Sequence, residues 1–313
     1  MSRCAIRIVH AACPVCAADA GASLVRGLRD VEHGNEGSYE IARCRSCGFV
    51  YLAERPSGES LPDCYGEEYH VHAPVRGNAL LRTLFGVRYR LRHRRVRRVL
   101  GREPASVLEV GCGDAQSLVH LERRLGDRCR LVGVEVDASR ILLPPGSRIQ
   151  LHSGGVEGMP AEGRYDAILL YDVLEHLQDP VATLVALGER LAPGGALFIL
   201  IPNWDSLWRR AFPHHWGGLQ IPRHQLFFDR SSIRGLLERT GYRVRTVDNV
   251  FDPGDLSVAL CNWLSDRLHL RTKPRRAWFY YPLLLASAPV VLLQNLLLGQ
   301  SGEIEAVADR PGK

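Results

Sequence analysis

The stretch Val107-Leu-Glu-Val-Gly-Cys-Gly-Asp-Ala115 constrains the fold more than any other part of the sequence. Its first residues are mostly apolar, which is typical of a strand that is covered on both faces. Gly111 and Gly113 then permit backbone angles and close approaches that a side chain would hinder. We expect a helix from about Gln116 to Leu125 after this turn, with free N–H groups at its start. The stretch therefore predicts a binding site for a nucleotide-type cofactor.

Further strand patterns alternate with helical patterns after this turn. The predicted strands lie at 130–135, 148–151, 165–170, 196–201, 242–247 and 302–308. A helix is predicted after Pro180, and a serine-capped helix over 231–238 precedes the strand at 242–247. This alternation predicts an α/β fold with a doubly wound, mostly parallel sheet, in which ligands bind at the carboxyl ends of the strands.

Glu135 ends the strand that follows the first predicted helix. It comes after Gly113 at an interval of ~20 residues, at which an acid commonly meets a ribose hydroxyl. A carboxylate suits this position because it accepts two hydrogen bonds from a vicinal diol. Glu135 is therefore predicted to bind the ribose of the cofactor.

Four sequence blocks add to this pattern: V-L-E-V-G-C-G-D, L-V-G-V-E, Y-D-A-I-L-L-Y-D-V-L-E-H-L and L-A-P-G-G-A-L-F-I-L-I-P-N. In this order they resemble the class I S-adenosylmethionine-dependent methyltransferases, and the resemblance covers about 107–247. It implies a Rossmann-like sheet of seven strands, an S-adenosyl-L-methionine cofactor and a methyl-transfer activity.

The resemblance also implies which residues bind the cofactor. The turn around Gly111 would hold the methionine part, and Glu135 would bind the ribose hydroxyls. The turn at Gly155 would flank the adenine without the acid that is often found there, and Tyr171 would lie near the sulfonium. The implied cofactor-binding residues are Glu109, Gly111, Gly113, Glu135, Gly155, Val156 and Tyr171.

Two alternative functions are compatible with parts of this pattern. A nicotinamide-dependent oxidoreductase would need glycine where Gln116 stands, and it leaves Glu109 unexplained. A non-catalytic cofactor-binding or scaffold protein would keep the fold without turnover, although the intact Glu109 and Glu135 argue against it. One departure from the family pattern is Ala115, where the family has the third glycine of the turn.

Two CxxC pairs, Cys13-Pro-Val-Cys16 and Cys44-Arg-Ser-Cys47, precede the cofactor region. Each pair places two thiolates on one side of a turn, so the two pairs predict a tetrahedral four-thiolate zinc site. Hairpin strands are predicted at 39–43 and 49–51 beside the second pair. Because four protein ligands leave no open position, the metal is predicted to be structural. These features look like the zinc-ribbon subgroup of the methyltransferases, many of which methylate sugars or other small molecules.

Methyl transfer to an acceptor that loses a proton needs a base at the cleft. His176, which follows the fourth strand, and His224, in a loop after the fifth strand, are the candidate catalytic residues. For each histidine, a capping or bridging role in the loops is the alternative. The loop from Trp204 to Trp216 is expected to cover the acceptor, by stacking on it or by anchoring the loop.

Two segments suggest partners other than a soluble substrate. The arginine-rich helix predicted over 78–100 either covers the sheet or meets phosphate groups, and the lack of interleaved aromatic residues disfavours nucleic acid. The uncharged run at 277–302 follows a basic stretch and reaches the ~20 residues that span a bilayer. Because the strand at 302–308 must return to the sheet, and because Pro282 and Pro289 interrupt the run, we expect a broken hairpin in the membrane interface. A homo-oligomer interface and a true span are the alternatives.

These observations predict four segments: a zinc ribbon with its connector at 1–75, a methyltransferase domain at 76–251, an apolar helical insertion at 252–302, and a last strand with a tail at 303–313. Met1 to Cys16 lacks the pattern of a secretory signal, so we expect a cytoplasmic protein, with peripheral contact to the inner face of the cell membrane. The net charge of +6 comes almost entirely from arginine and is no argument for nucleic-acid binding. The predicted acceptor is a small molecule or glycan precursor, with a lipid-linked sugar among the candidates.

Overall fold

The computed structural model describes residues 6–31, 34, 36–65, 79–160, 163–268, 270 and 279–311, without the side chains of 79–84. These residues form two β-sheets, and helices pack on the larger one. The basic stretch before the apolar run, at 271–276, lies outside the described residues.

The smaller sheet is antiparallel and comes mainly from the N-terminal segment. Its strands are β1 (Ile8–His10), β2 (Gly21–Leu28), β3 (Tyr39–Cys44) and β4 (Val50–Pro56), in the spatial order β1-β4-β3-β2. We call these four strands the N-terminal ribbon, and β3 and β4 form the hairpin that the sequence predicts. A further strand, β10 (Leu226–Phe227), comes from a distant part of the chain and pairs with the start of β4. Backbone pairing therefore joins the ribbon to the rest of the protein.

The larger sheet has seven strands and is mostly parallel, as predicted. The strands are β5 (Ser106–Val110), β6 (Arg130–Glu135), β7 (Gln150–Ser153), β8 (Tyr165–Tyr171), β9 (Leu191–Pro202), β11 (Arg243–Val250) and β12 (Glu303–Asp309). Their spatial order is β11-β12-β9-β8-β5-β6-β7. β12 runs antiparallel to β9 and β11, and the other pairs are parallel. This is the Rossmann-like sheet of the class I methyltransferases.

Helices cover both faces of this sheet. The α-helices of the described residues are α1 (Ala79–Leu100), α2 (Gln116–Leu125), α3 (Pro180–Glu189), α4 (Leu207–Ala211), α5 (Arg230–Arg239), α6 (Gly254–Arg267) and α7 (Tyr280–Leu298). Leu118 of α2 packs with Phe198 in one core cluster, whereas Leu184 of α3 packs with Leu197 in another. Adjacent residues of β9 thus point to opposite faces, and each face meets helices. The central strands are apolar along their length because both faces are buried.

The N-terminal cap of α5 differs from the sequence prediction. Asp229 rather than a serine caps the helix, and its carboxylate accepts the N–H of Ser232 at 2.8 Å. The hydroxyl of Ser232 accepts the N–H of Asp229 at 2.9 Å, which completes a capping box. Asp and Ser are similarly favoured as caps, so the residue types alone did not separate the two.

The apolar run forms an excursion that leaves and rejoins the sheet at one place. α6 follows Val250 and α7 precedes Glu303, and these two residues are direct partners in the β11–β12 pair. α7 packs against α6 and continues through Pro289, so the predicted break in the apolar run is wrong. α7 has 19 residues, and Pro289 removes one backbone hydrogen bond from it. Pro282 lies in the first turn, where a backbone N–H has no partner within the helix. Among the described residues, α7 is long and apolar enough to cross a membrane.

Candidate active site

The glycine turn lies at the carboxyl end of β5 and connects it to α2. Gly111 and Gly113 have φ angles of 68° and 57°, in the left-handed region that favours glycine. A Cβ on Gly111 would lie 2.4 Å from Cγ2 of Val173, so this position also lacks room for a side chain. Ala115 adopts a φ of 57°, which explains why the family has a third glycine there. The turn thus exposes main chain at the start of a helix.

Glu135 lies beside this turn at the end of β6. Its Oε2 accepts the N–H of Gly113 at 2.8 Å, and its Oε1 accepts the N–H of Val136 at 2.9 Å. The side chain is half-buried, and each oxygen keeps a second lone pair. The arrangement fixes the carboxylate at the mouth of the turn, where it can accept hydrogen bonds from a diol.

Glu109 is buried on β5 directly before the turn. Its Oε2 has no hydrogen-bond partner among the described residues, and burial raises the pKa of the carboxyl to about 7. The charge of Arg92 on α1 opposes this rise, so the two side chains are close enough to interact. The Nη2 of Arg92 is likewise buried without a partner, and its guanidinium lies 4.1 Å from the ring centre of Tyr171. The pair therefore offers an acceptor and a donor to an additional group.

Arg92 is a candidate cofactor-binding residue that the sequence patterns do not single out. The arginines of α1 repeat at helical spacing, and the pattern does not distinguish an inward arginine from a solvated one. The structure separates them, because Arg95 forms an ion pair with Glu305 at 3.0 Å and Arg94 is exposed. Of the two roles considered for this helix, it performs the first, since it packs against the domain through Val96 and its arginines bind acids of the sheet.

The remaining predicted cofactor residues lie at the same edge of the sheet. Tyr171 ends β8, and its ring is buried against α1, beneath Arg92. Gly155 and Val156 form a short turn after β7. The carboxylate of Glu157 accepts the N–H of Gly155 at 3.2 Å, so an acid is present in this turn although it follows the glycine by two positions.

His176 and His224 meet at the end of β8, although they are far apart in the sequence. Their ring centres lie 4.5 Å apart at an angle of 85°. Nδ1 of His224 lies 2.8 Å from the carbonyl oxygen of Gly218, and Nδ1 of His176 lies 3.2 Å from that of Arg223. Oε1 of the buried Glu175 lies 3.9 Å from Nε2 of His224. The structure thus joins both candidate histidines to an acid that the sequence reasoning did not select.

Burial determines the protonation states of His176 and His224. It lowers the pKa of His176 to about 4, with a further contribution from the positive charge of Arg223. It also lowers the pKa of His224, and the neighbouring His176 acts in the same direction. Both imidazoles are therefore neutral near pH 7 and each carries one nitrogen with a free lone pair.

The loop from Trp204 to Trp216 is held in place by buried contacts. Trp204 and Trp216 are buried, with ring centres 6.3 Å apart. The indole N–H of Trp216 donates to Asp255 at 2.9 Å, and Asn262 donates to the carbonyl oxygen of His215 at 3.0 Å. Of the two roles considered for the loop, these contacts support anchoring, because the loop is held against α6.

The four cysteines of the ribbon lie together. Sγ of Cys13 is 3.6 Å from Sγ of Cys47, and Sγ of Cys16 is 3.5 Å from Sγ of Cys44. Zinc bonds of about 2.3 Å in a tetrahedron separate the sulfurs by about 3.8 Å, so the cluster has the size of a four-thiolate zinc site. The donor set and the spacing therefore fit zinc.

The N-terminal segment also reaches the histidines. The hydroxyl of Tyr65 lies 3.1 Å from Nδ1 of His176. The backbone N–H of Leu52 in β4 donates to the carbonyl oxygen of Gln225, next to His224, at 2.8 Å. Tyr65 and the ribbon thus both contact the loops that carry the candidate catalytic residues.

Comparison with known proteins identifies similar sequences and folds. Residues 84–247 match a family model described as a methyltransferase domain. The chain is 34% identical over 102 residues to a tRNA U34 carboxymethyltransferase of Pseudoalteromonas atlantica, a match that covers 30% of each protein. It is 33% identical over 109 residues to a ubiquinone biosynthesis O-methyltransferase of Xanthomonas axonopodis, covering 32% of this chain and 45% of the relative. The chain thus spans less than half the length of these relatives.

Among solved structures, the plantazolicin methyltransferase BpumL in complex with a monoazolic desmethyl analogue and SAH is similar in overall course. The TM-score is 0.47 at 16% identity, over 74% of this chain and 84% of that structure. The strand order of the larger sheet and the family-model match, rather than this likeness, define the fold.

Proposed function

The chain belongs to the methyltransferase domain family, and from this premise we propose that it is an S-adenosylmethionine-dependent methyltransferase. The observation that carries the proposal is the constellation at the carboxyl edge of the sheet. Glu109 and Arg92 each keep a buried polar atom without a hydrogen-bond partner among the described residues, and Glu135 is fixed beside the glycine turn. An amino-acid zwitterion joined to a ribose has the groups that these residues would bind.

Different residues bind the different parts of the cofactor. Glu109 accepts hydrogen bonds from the α-ammonium group, and Arg92 binds the α-carboxylate. Glu135 accepts from the ribose hydroxyls, and the turn of Gly155 and Val156 lies against the adenine. Gly111 and Gly113 let the main chain approach the methionine part, and Tyr171 lies near the sulfonium.

The bound cofactor supplies an electrophilic methyl group on a sulfonium sulfur. The protein's part is to hold an acceptor atom in line with the bond between this carbon and sulfur and to exclude water. A lone pair of the acceptor forms the new bond, and the electrons of the breaking bond pass to sulfur. His224 and His176 are the proposed catalytic residues, because both are neutral near pH 7 and lie at the end of β8.

Cofactor binding tests the proposal directly. Calorimetry with S-adenosylmethionine and S-adenosylhomocysteine should give one site per chain. Glu135→Ala should weaken binding by about 10-fold or more without unfolding the protein, since hydrogen bonds to a charged group contribute about 1.5–3 kcal/mol. The matched control is Glu189→Ala, at the exposed end of α3. Absence of binding to the intact chain would refute the function and favour a scaffold protein.

The proposed acceptor is a small molecule or glycan precursor. This finer assignment rests on the zinc-ribbon pattern and on the contacts that Tyr65 and the ribbon make with the histidine site. A relative is named for tRNA U34, so tRNA belongs in the test as a second acceptor class. Methyl-labelled cofactor should be incubated separately with a small-molecule extract, a lipid extract and total tRNA. Label in the tRNA fraction alone would overturn the small-molecule assignment.

We also propose that α7 rests on a lipid bilayer, which makes a lipid-linked acceptor accessible. Among the described residues, most side chains of α7 are exposed, including Leu285 at 77%, Leu296 at 74% and Leu297 at 72%. No acidic or basic residue lies in the helix, and the sequence before it contains Arg271, Lys273, Arg275 and Arg276. An apolar surface beside a cationic stretch suits the interface of an anionic membrane. Both ends of the excursion join the sheet at one point, which argues against a single crossing.

Vesicle flotation distinguishes a lipid bilayer from a second copy of the chain as the partner of α7. The full chain should float with vesicles that contain anionic lipid and bind less to neutral vesicles or at high salt. Leu285→Gln with Leu296→Gln should abolish flotation, whereas Gln300→Glu is the control outside the helix. Loss of dimerisation with unchanged flotation in the double variant would instead identify α7 as an oligomer interface.

A further inference from the structure

A second group of metal-binding side chains lies outside the cysteine cluster. Glu175, His176 and His224 each offer a ligand atom, and these atoms lie within 4.8 Å of one another. Glu175 and His224 are 1% and 3% exposed, whereas His176 is half-buried and faces the hydroxyl of Tyr65. Among the described residues, the group is enclosed on most sides and is least covered at His176.

A hydrogen bond fixes the tautomer of His224. A backbone carbonyl oxygen can only accept, so Nδ1 of His224 donates to Gly218 and Nε2 carries the free lone pair. Nδ1 of His176 lies 3.2 Å from the carbonyl oxygen of Arg223, which favours the same tautomer, and 3.1 Å from the hydroxyl of Tyr65. A ring held through Nδ1–H by a carbonyl oxygen is the arrangement that orients metal-binding histidines and selects their donor nitrogen.

Glu175 is the buried acid of this group. Both of its carboxylate oxygens are buried, and neither has a hydrogen-bond partner among the described residues. The nearest nitrogen is Nε2 of His224 at 3.9 Å, which bears a lone pair in the tautomer above. Asp172 adds negative charge nearby, and the cation of Arg223 is opposed by Asp30 at 3.6 Å. The pocket between the three side chains therefore favours a cation.

We propose that Glu175, His176 and His224 form a second metal site, which takes a divalent transition-metal ion such as zinc, iron(II) or manganese(II). Two imidazoles and one carboxylate suit this class of ion. Softer ions prefer thiolate ligands, and harder ions prefer oxygen ligands alone. Metal bonds of about 2.0–2.2 Å require the ligand atoms to close by about 1 Å from their present spacing. Three protein ligands leave at least one position open, unlike the closed cysteine cluster.

The open position defines a role in catalysis, and this role rests on the proposed methyl transfer. A hydroxyl or enol oxygen of the acceptor donates a lone pair to the metal, which lowers the pKa of that oxygen. The proton leaves to water, and an oxygen lone pair then attacks the methyl carbon while the carbon–sulfur bond breaks toward sulfur. The two histidines thus act through the metal rather than as free bases, and the acceptor class is an oxygen-bearing one.

Metal counting tests the site independently of turnover. The full chain, dialysed with zinc and then freed of excess, should contain about two zinc ions per chain, one in each site. Glu175→Gln and His224→Gln should each lower this to about one, and Cys16→Ser should remove the other ion. His152→Gln, on β7, is the matched histidine control and should retain both. Circular dichroism confirms that each variant is folded.

Cobalt(II) gives a second measurement. In the Glu175 site it should produce visible bands without the sulfur charge-transfer absorption of the cysteine site, and these bands should disappear in His224→Gln. A single ion per chain in the folded wild type, unaffected by Glu175→Gln, would overturn the proposal even if the protein methylates its acceptor. A second ion in a chain that does not bind S-adenosylmethionine would support the site and refute the methyltransferase function.

Discussion

The indole Nε1 of Trp216 donates a hydrogen bond of 2.9 Å to Oδ1 of Asp255 and joins the tryptophan loop to the first turn of α6. Gly218, two residues after this tryptophan, accepts the hydrogen bond that orients His224. α6 in turn carries α7. The candidate catalytic histidine and the proposed membrane helix are therefore connected through one buried tryptophan–aspartate pair.

Replacement of Asp255 should change the pH dependence of stability. Burial raises the pKa of Asp255 to about 7 from 3.8, so the folded protein keeps a proton that the unfolded chain releases. Its contribution to stability is complete below pH 3.8 and is lost as the pH rises through 7. Asp255→Asn keeps an acceptor for Trp216 and removes the charge. Urea unfolding at pH 8 should show a gain of up to about 4 kcal/mol, with no gain for the exposed Asp127→Asn.

Gly111→Ala should disable the cofactor turn. The added Cβ would lie 2.4 Å from Val173, and φ is 68°, which costs an alanine about 1–2 kcal/mol before the clash is counted. Thermal unfolding and calorimetry should show lower stability and loss of S-adenosylmethionine binding. Gly235→Ala provides the contrast, because this helical glycine in α5 has open space around it and should gain up to about 1 kcal/mol. Wild-type affinity in Gly111→Ala would contradict the assigned site.

Arg92→Met should weaken cofactor binding selectively. The variant keeps an unbranched side chain over Tyr171 but removes the group proposed for the α-carboxylate, so the dissociation constant should rise about 10- to 100-fold. Arg94→Met, on the exposed side of α1, should leave it unchanged. Affinity for adenosine, which lacks the amino-acid part, should be equal in both variants. A parallel loss of adenosine affinity in Arg92→Met would indicate a structural role instead.

Removal of one cysteine ligand should release the proposed zinc from the ribbon. Cys47→Ser should lower the zinc content and destabilise the ribbon, since structural zinc contributes directly to folding free energy. Cys64→Ser is the control, because Cys64 is buried but lies outside the cluster. Elemental analysis and limited proteolysis of residues 6–65 measure the two effects. Equal zinc content in Cys47→Ser and wild type would exclude the four-thiolate site.

The sequence predicts the sheet well because apolar strands and glycine turns are local patterns. The order of the blocks predicts the fold class and a last strand in the sheet after the insertion, and the structure confirms both. The observed strand boundaries differ from the predicted ones where the flanking residues are compatible with a strand or a loop. β7, for example, begins at Gln150 rather than at Arg148. The cap of α5 moved to Asp229 for the same reason.

The site was less predictable because its members meet only in three dimensions. Glu109 and Glu135 lie next to a recognisable turn, whereas Arg92 is one of several arginines on a helix. Glu175 is followed directly by a candidate histidine, but burial and the absence of a partner, which draw attention to it, are tertiary properties. The pairing of β10 with β4, which brings His224 toward the ribbon, has no local sequence signal.

The position of β12 between β9 and β11 has a consequence for biosynthesis. β11 is synthesised before α6 and α7, yet its neighbour in the sheet is β12, which follows them. The edge of β9 therefore stays open, and β11 waits unpaired, while the leucine-rich α7 leaves the ribosome. The nascent chain presents the apolar α7 before the sheet can close, so the proposed contact with a bilayer can precede completion of the fold.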